Sequence, residues 1–179
     1  MTVAKNAIVE FLKAQSKSNV QKIHFAKPER PVHTVFIHCS ASEKTIDDSF
    51  ARLKYLHTQP KSEKIKWGNY GLISCKGFYD VGYQFVITKD GVIHKGRSLE
   101  KRPSSQAPHN TGSIAICVCG LKDFTQKSLL SLVDLCTEIH CAYDDIRFRG
   151  HCEVSNRTCP VFNYKDVLNL DGRGRMMIV

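Results

Sequence analysis

The chain has 179 residues, of which 42% are hydrophobic and 24% are charged, and this composition excludes a disordered, collagen-like or fibrous protein. Its 26 lysines and arginines outnumber 17 aspartates and glutamates, and residues 52–102 contribute most of the excess, with 11 basic and 4 acidic side chains. A basic surface attracts polyanions, which include nucleic acid, anionic lipid and the bacterial envelope, and charge alone does not choose among them.

Cysteine usage and the N-terminal sequence indicate where the chain is made. No Cys-x-x-Cys pair occurs among the eight cysteines, and Cys117, Cys119 and Cys136 lie in apolar runs, so we expect mostly reduced thiols. Residues 1–18 lack the apolar core of a signal peptide or of a membrane span. We therefore expect a cytoplasmic protein, unless another factor releases it.

The N-terminal segment differs from the rest of the chain. Residues 3–15 place apolar side chains on one helical face and predict a short amphipathic helix. A polar link follows and ends at Pro31. The sequence therefore predicts an extension over residues 1–30 and a single regular domain over 31–179.

The regular domain begins with a β-branched and aromatic segment, residues 33–38, that predicts a buried strand. Thr45 and Asp48 form a capping box, and the apolar spacing after them predicts a helix over 46–57. Residues 58–77 contain proline, three glycines and several lysines without periodicity, which predicts an irregular basic loop.

Alternating strands and helices complete the domain. Segments 81–88 and 92–95 predict a hairpin, and Asp90-Gly91 between them is typical of a type I′ turn. The remaining predicted elements are a central strand over 113–119, a helix capped by Thr125, a strand over 146–149 and a helix near 164–170. This order predicts an α/β fold in which a single mixed central β-sheet is flanked by helices.

Histidine and cysteine occur in three segments, 38–40, 109–110 and 151–160, where predicted strands end and loops begin. A catalytic zinc ion prefers imidazole and thiolate, and takes three protein ligands. The set His38, His151 and Cys159 meets this requirement, although by spacing alone other side chains compete for the same role: His109, Cys39 and Cys152.

Five motifs stand in unbroken order between about residue 32 and residue 164: Val35–Ser42, Asp80–Gly91, Gly96-Arg97, His109–Ile116, and Gly150–Val154 with Cys159-Pro160. Together they closely resemble the motifs of the type 2 N-acetylmuramoyl-L-alanine amidases, a family that includes phage amidases and the animal peptidoglycan recognition proteins. The resemblance implies the fold of that family and a zinc amidase domain over residues 31–179.

The resemblance also implies site residues. His38, His151 and Cys159 match the zinc ligands, and Tyr83 matches the active-site tyrosine of the family. Arg157 stands where many relatives have lysine. Its guanidinium can stabilise an anion but cannot give up a proton near neutral pH.

Four further residues are implied as neighbours of the metal or of the substrate. Glu153 is expected to orient a ligand, and His57 to shape the cleft. His109 and Asn110 are expected to shape a turn or to bind substrate. The resemblance does not identify the general base. Ser104-Ser105 stands near the position where relatives often carry Ala-His, and Cys117 and Cys119 stand in the strand where the bacterial recycling amidases have a carboxylate.

The function implied is zinc-dependent hydrolysis of the bond between N-acetylmuramic acid and L-alanine in bacterial peptidoglycan. We expect a monomeric phage endolysin without membrane insertion, which accumulates in the host cytoplasm until a holin releases it. The alternatives are a non-lytic peptidoglycan-binding protein, an inhibitor of a phage RNA polymerase, and a bacterial wall-recycling amidase. Cys159 favours catalysis, since non-catalytic relatives commonly replace that ligand.

Overall fold

A computed structural model of the protein describes residues 24–42 and 49–177. The helix predicted over 3–15 lies outside these residues, and the domain division at residue 30 stays a prediction. Phe25, which precedes that division, is buried. Its amide donates to the Glu138 carboxylate at 2.8 Å, and its ring centroid lies 6.4 Å from that of Phe85.

Seven strands and three helices form the described part of the chain. The strands are β1 (Thr34–Cys39), β2 (Lys64–Lys66), β3 (Leu72–Ser74), β4 (Phe85–Ile87), β5 (Ile93–Lys95), β6 (Ser113–Val118) and β7 (Arg147–Gly150). The helices are α1 (Phe50–Thr58), α2 (Gln126–Cys141) and α3 (Tyr164–Val167), and a 3₁₀ turn spans His151–Glu153.

The central sheet has the strand order β5-β4-β6-β1-β7. Only β4 and β5 pair antiparallel, while β4 with β6, β6 with β1, and β1 with β7 pair parallel. This arrangement confirms the predicted mixed sheet. Because β1, β6 and β7 run in the same direction, the segments that follow them emerge at one edge of the sheet.

The sheet lies between two apolar layers. On β6, Ile114 and Ile116 join the core cluster that contains Leu132 and Ile139 of α2. Cys117 joins the opposite cluster, which contains Leu53 of α1. Alternation along a strand therefore places one set of β6 side chains on each face.

The predicted start of the first helix is wrong. Helix α1 begins at Phe50, and the extended residue Ser49 caps it by accepting a hydrogen bond from the Arg52 amide. A serine hydroxyl at this position satisfies an amide that has no partner within the helix. Thr45 and Asp48, which the sequence favoured as a capping box, lie outside the described residues.

The irregular loop predicted over 58–77 contains a small antiparallel sheet instead. Strands β2 and β3 pair there, with Ile65 opposite Ile73. The strands are too short to show periodicity. Besides Ile65, their buried apolar side chains lie just outside them, with Trp67 directly after β2 and Cys75 directly after β3. The sequence pattern therefore could not predict that two strands of three residues each form here.

The hairpin of β4 and β5 is confirmed, but its predicted type I′ turn is wrong. A type I′ turn needs positive φ at both central residues. In this loop Gly91 has φ +86°, and Asp90 has no positive φ. The Gly91 amide donates to the Thr88 carbonyl at 2.9 Å, which gives a three-residue loop that ends in a left-handed glycine.

The helices and strands after this hairpin are of the predicted types and stand in the predicted order. Thr125 caps α2 by accepting from the Ser128 amide, and β6 lies at the centre of the sheet as expected. Strand β7 is shifted by one residue, and the final helix is only one turn long. No helix in the described ranges is both long and apolar enough to cross a membrane.

Candidate metal centre

Three side chains meet at the sheet edge where β1 and β7 end. His38 is the next-to-last residue of β1, and His151 opens the 3₁₀ turn directly after β7. Cys159 closes the following loop, whose ends are joined by a hydrogen bond of 2.7 Å from the Cys152 amide to the Cys159 carbonyl. One potential ligand atom from each of His38, His151 and Cys159 lies within 4.8 Å of the others.

The donor set fits zinc. Two imidazoles and one thiolate are ligands that this ion prefers, and a catalytic site leaves a fourth position open. Cys159 Sγ and His38 Nδ1 lie 3.8 Å apart. Tetrahedral coordination at ordinary zinc–ligand bond lengths separates such a sulfur and nitrogen by about 3.6 Å.

Gln106 fixes the orientation of the His38 ring, and the sequence analysis did not identify it. This side chain is 1% exposed, and its Oε1 lies 3.0 Å from His38 Nε2. Its Nε2 donates to Ser113 Oγ at 2.9 Å, which directs the oxygen of the amide towards His38. With Nε2 of His38 carrying the proton, Nδ1 keeps its lone pair on the side of Cys159.

The loop that carries Gln106 is held by Asn110. Its Oδ1 accepts hydrogen bonds from the Ser105 and Gln106 amides, both at 3.1 Å. His109 is exposed beside it and does not belong to the His–His–Cys group. Asn110 thus acts on the metal centre indirectly, through the position of Gln106.

The lowered pKa values of the two histidines suit a cation, because a metal ligand must be a neutral imidazole. Burial lowers the pKa of His38 to about 3, and the neighbouring His151 lowers it further, so the imidazole is neutral at pH 7. Contact with the Cys39 thiol, together with burial, raises the pKa of Cys159. The Cys39 amide acts in the opposite direction, since it donates to Cys159 Sγ at 3.2 Å. A bound divalent cation would favour the thiolate.

Tyr83 packs between the metal centre and His57. Its ring centroid lies 5.1 Å from that of His38 and 5.5 Å from that of His57. Its hydroxyl forms a hydrogen bond with the buried Cys117 thiol. Burial raises the pKa of Tyr83 well above its usual value, so the phenol keeps its proton at neutral pH.

His57 positions the segment that carries Tyr83. This histidine is buried, and its Nδ1 accepts a hydrogen bond of 2.8 Å from the Gly82 amide. A Cβ at Gly82 would lie 2.8 Å from the Ser104 carbonyl oxygen, so only glycine permits this close approach. Burial is the main reason that the pKa of His57 falls to about 4.

Glu153 and Arg157 lie in the turn and loop between His151 and Cys159. The Glu153 carboxylate accepts from Arg149 Nε at 3.1 Å, from the Gly150 amide at 3.3 Å and from the Tyr164 hydroxyl. It therefore supports the turn that begins at His151. Arg157 is exposed, and its positive charge lowers the pKa of His151, although burial lowers that pKa more.

The metal centre forms part of a cleft of about 450 Å³. Besides His38, His151 and Cys159, the cleft is lined by Tyr83, Arg157, Cys39, Ala41, Tyr70, Ser105, Leu121, Asn156, Thr158 and Val161. The structure thus places the predicted residues Tyr83 and Arg157 in the same cleft as His38, His151 and Cys159. Predicted residues His57, Glu153, His109 and Asn110 do not line it.

A family model and two phage endolysins are similar in sequence to most of this chain. Residues 28–162 match the family model described as N-acetylmuramoyl-L-alanine amidase. The chain is 26% identical over 152 residues to the endolysin of Klebsiella phage KP32, with 80% of this chain and 89% of the relative covered. It is 27% identical, with the same coverage, to the endolysin of Enterobacteria phage T3.

A solved structure of another endolysin has a similar fold. The Ph2119 endolysin of the Thermus scotoductus MAT2119 bacteriophage superposes with a TM-score of 0.61 at 19% identity. The superposition covers 87% of this chain and 92% of that one.

Proposed function

Because the chain belongs to the N-acetylmuramoyl-L-alanine amidase family, we propose that it hydrolyses the amide bond between N-acetylmuramic acid and L-alanine of peptidoglycan with a zinc ion bound. The observation that carries the metal dependence is the convergence of His38, His151 and Cys159 within 4.8 Å at one end of the sheet. When bound, zinc lowers the pKa of water from about 15.7 to roughly 7 and polarises a carbonyl oxygen.

The side chains of the cleft would assist by stabilising charge. Hydrolysis of an amide develops negative charge on the carbonyl oxygen, and donors directed at that oxygen lower the barrier. The Arg157 guanidinium is exposed in the cleft and always charged, so it can stabilise the oxygen without transferring a proton.

Tyr83 would be the second donor. Burial raises the pKa of Tyr83 well above its usual value, so the phenol keeps its proton at neutral pH. That O–H contacts the buried Cys117 thiol in the structure and would donate to the carbonyl oxygen when substrate fills the cleft. Gln106 would hold His38 in the tautomer that leaves Nδ1 unprotonated.

The biological role we propose is that of a phage endolysin. The support is the similarity, over about four-fifths of the chain, to endolysins of phages KP32 and T3. Peptidoglycan would be the partner of a monomeric enzyme, which would reach the wall from the host cytoplasm after holin-mediated release. The comparisons do not support a phage RNA polymerase as a partner.

Digestion of purified peptidoglycan tests the reaction. Cleavage at the proposed bond should release new α-amino groups of L-alanine and no new reducing sugar ends. Chelation should abolish the release, and added zinc should restore it. New reducing ends would identify a glycosidase and refute the proposal.

Cysteine variants test the ligand set. Cys159→Ala should lose both bound zinc, measured by elemental mass spectrometry, and activity. Cys39→Ala and Cys152→Ala are matched controls that should retain both, because neither thiol belongs to the His–His–Cys group and both backbone amides keep their hydrogen bonds to Cys159. Full zinc content in Cys159→Ala would place the metal elsewhere.

A further inference from the structure

The β2–β3 hairpin is fixed to the end of the strand that carries His38. Trp67 at the inner end of β2 is 2% exposed, and its Nε1 donates to the Ser40 carbonyl at 3.2 Å. The turn is closed by hydrogen bonds from the Trp67 amide to Gly71 and from the Tyr70 amide to Trp67. The tip of the hairpin is therefore held beside the metal centre.

Tyr70 projects from this tip into the solvent. It is 58% exposed, and it lines the cleft that contains His38, His151 and Cys159. An aromatic ring held on a fixed turn can contact a ligand without first losing much conformational freedom. None of the assistance argued above for hydrolysis uses this side chain.

Uncharged side chains adjoin Tyr70 and form one rim of the cleft. Ala41 follows Ser40 directly, and the Gly120 amide donates to Ser40 Oγ at 2.9 Å, which brings the neighbouring Leu121 to the same place. Ser40 thus connects Ala41, Tyr70 and Leu121, which we call the Ser40 rim. The described side chains of this rim carry no charge.

Polar and charged side chains line the cleft along the loop that precedes Cys159. Asn156, Arg157 and Thr158 stand there in succession, with the Arg157 guanidinium as their charged group. We call these three residues the Arg157 rim. The cleft consequently offers one uncharged, partly aromatic rim and one polar, cationic rim.

The two parts of the substrate differ in the same way. On one side of the bond, the glycan consists of uncharged N-acetylated sugars whose pyranose rings have apolar C–H faces. On the other side, the stem peptide has carboxylates. An exposed aromatic face suits the apolar face of a ring, whereas a guanidinium suits a carboxylate.

From this match, we propose that Tyr70 is a specificity-determining residue that packs against a pyranose ring of the glycan strand. This inference rests on the proposed amidase function. It assigns the glycan to the Ser40 rim and the stem peptide to the Arg157 rim. The β2–β3 hairpin then serves to hold the sugar-binding tyrosine at the cleft.

Two soluble substrates with the same peptide test the assignment in the zinc-bound enzyme. One is a disaccharide-tetrapeptide that contains the glycan rings, and the other is a lactyl-tetrapeptide that has the scissile amide but no sugar. Tyr70→Ala should lower kcat/KM for the first substrate by roughly tenfold through KM, the size of effect expected for one aromatic contact. It should leave kcat/KM for the second unchanged, and Tyr70→Phe should resemble wild type on both.

Leu72→Ala is the matched control, because Leu72 lies in the same hairpin and is 70% exposed but does not line the cleft. Fluorescence of Trp67, the only tryptophan, reports whether the hairpin stays folded in each variant. Equal losses on both substrates, or no loss on either, would overturn the role of Tyr70 while leaving the amidase function intact. Failure of wild type to cleave either substrate would overturn both proposals.

Discussion

At the scale of single residues, Gln106 is the contact that most directly controls how His38 presents its nitrogen. Its Oε1 accepts from His38 Nε2, and partners of this kind typically contribute 10- to 100-fold in metal affinity. We expect Gln106→Leu to weaken zinc binding by about that factor, measured by competition with a chelator of known affinity. Gln106→Glu keeps an acceptor and should bind zinc nearly as wild type does. Equal affinity in all three proteins would mean that other contacts fix the ring.

Tyr83 and Arg157 should affect turnover without affecting the metal. Tyr83→Phe and Arg157→Ala each remove a donor and no ligand, so each should lower kcat by about 10² to 10³ with zinc content unchanged. Arg157→Lys keeps a positive charge and should retain much of the activity. Near-normal turnover in both Tyr83→Phe and Arg157→Ala would leave the ligands in place but refute the proposed stabilisation of the oxyanion.

The sequence predicted the candidate ligands and two candidate donors, but not the residues that orient them. His38, His151 and Cys159 lie within recognisable motifs and are chemically distinctive. Gln106 and Ser40 act through burial and through partners 68 and 80 residues away in the chain. An ordinary glutamine or serine in a loop carries no local signal of such contacts, which only the folded chain creates.

At the scale of elements, His57 connects the last turn of α1 to the segment before β4. It accepts from the Gly82 amide, and burial lowers its pKa from 6.5 to about 4. Because the folded state disfavours the protonated ring, stability is full above about pH 6.5 and is lost as the pH falls towards 4.

A variant isolates this pH dependence. In His57→Asn, the Asn Oδ1 can still accept from the Gly82 amide but does not titrate. Over pH 6.5 to 4, wild type should therefore lose about 3 kcal/mol more unfolding free energy than the variant, measured by denaturant titration. The metal centre is the same in both proteins, so the difference reports His57. Parallel curves would show that His57 does not bind protons differently on unfolding.

Elements with a strong periodic or capping signal were predicted well, whereas short ones were not. The apolar run of β6 and the Thr125 cap of α2 are local features that the tertiary structure retains. Strands β2 and β3 have three residues each. Their hairpin is held in place by the hydrogen bond from Trp67 to the Ser40 carbonyl, a contact that the local sequence does not reveal. The turn before β5 was misassigned because an Asp-Gly pair also suits a three-residue loop with only one left-handed residue.

At the scale of the whole molecule, the basic surface is concentrated in a part of the chain that includes the β2–β3 hairpin. Residues 52–102 hold 11 of the 26 basic residues and 4 of the 17 acidic ones. The exposed lysines of the hairpin region include Lys61, Lys64 and Lys66. Wall polymers rich in carboxylate and phosphate would be attracted to this region before substrate enters the cleft.

Binding to intact walls should therefore weaken with salt. The Debye length shrinks from about 10 Å at 0.1 M to about 3 Å at 1 M, so electrostatic attraction between exposed groups is largely screened at the higher concentration. We expect the fraction of protein that pellets with walls to fall steeply over this range.

The variant in which Lys61, Lys64 and Lys66 are all replaced by Glu should pellet weakly even at 0.1 M. Replacement of Lys127, Lys165 and Arg173 by Glu makes the same change in net charge outside residues 52–102, and should have a smaller effect. If retention is unchanged at 1 M salt, or if the two triple variants behave alike, the basic segment is not the wall contact.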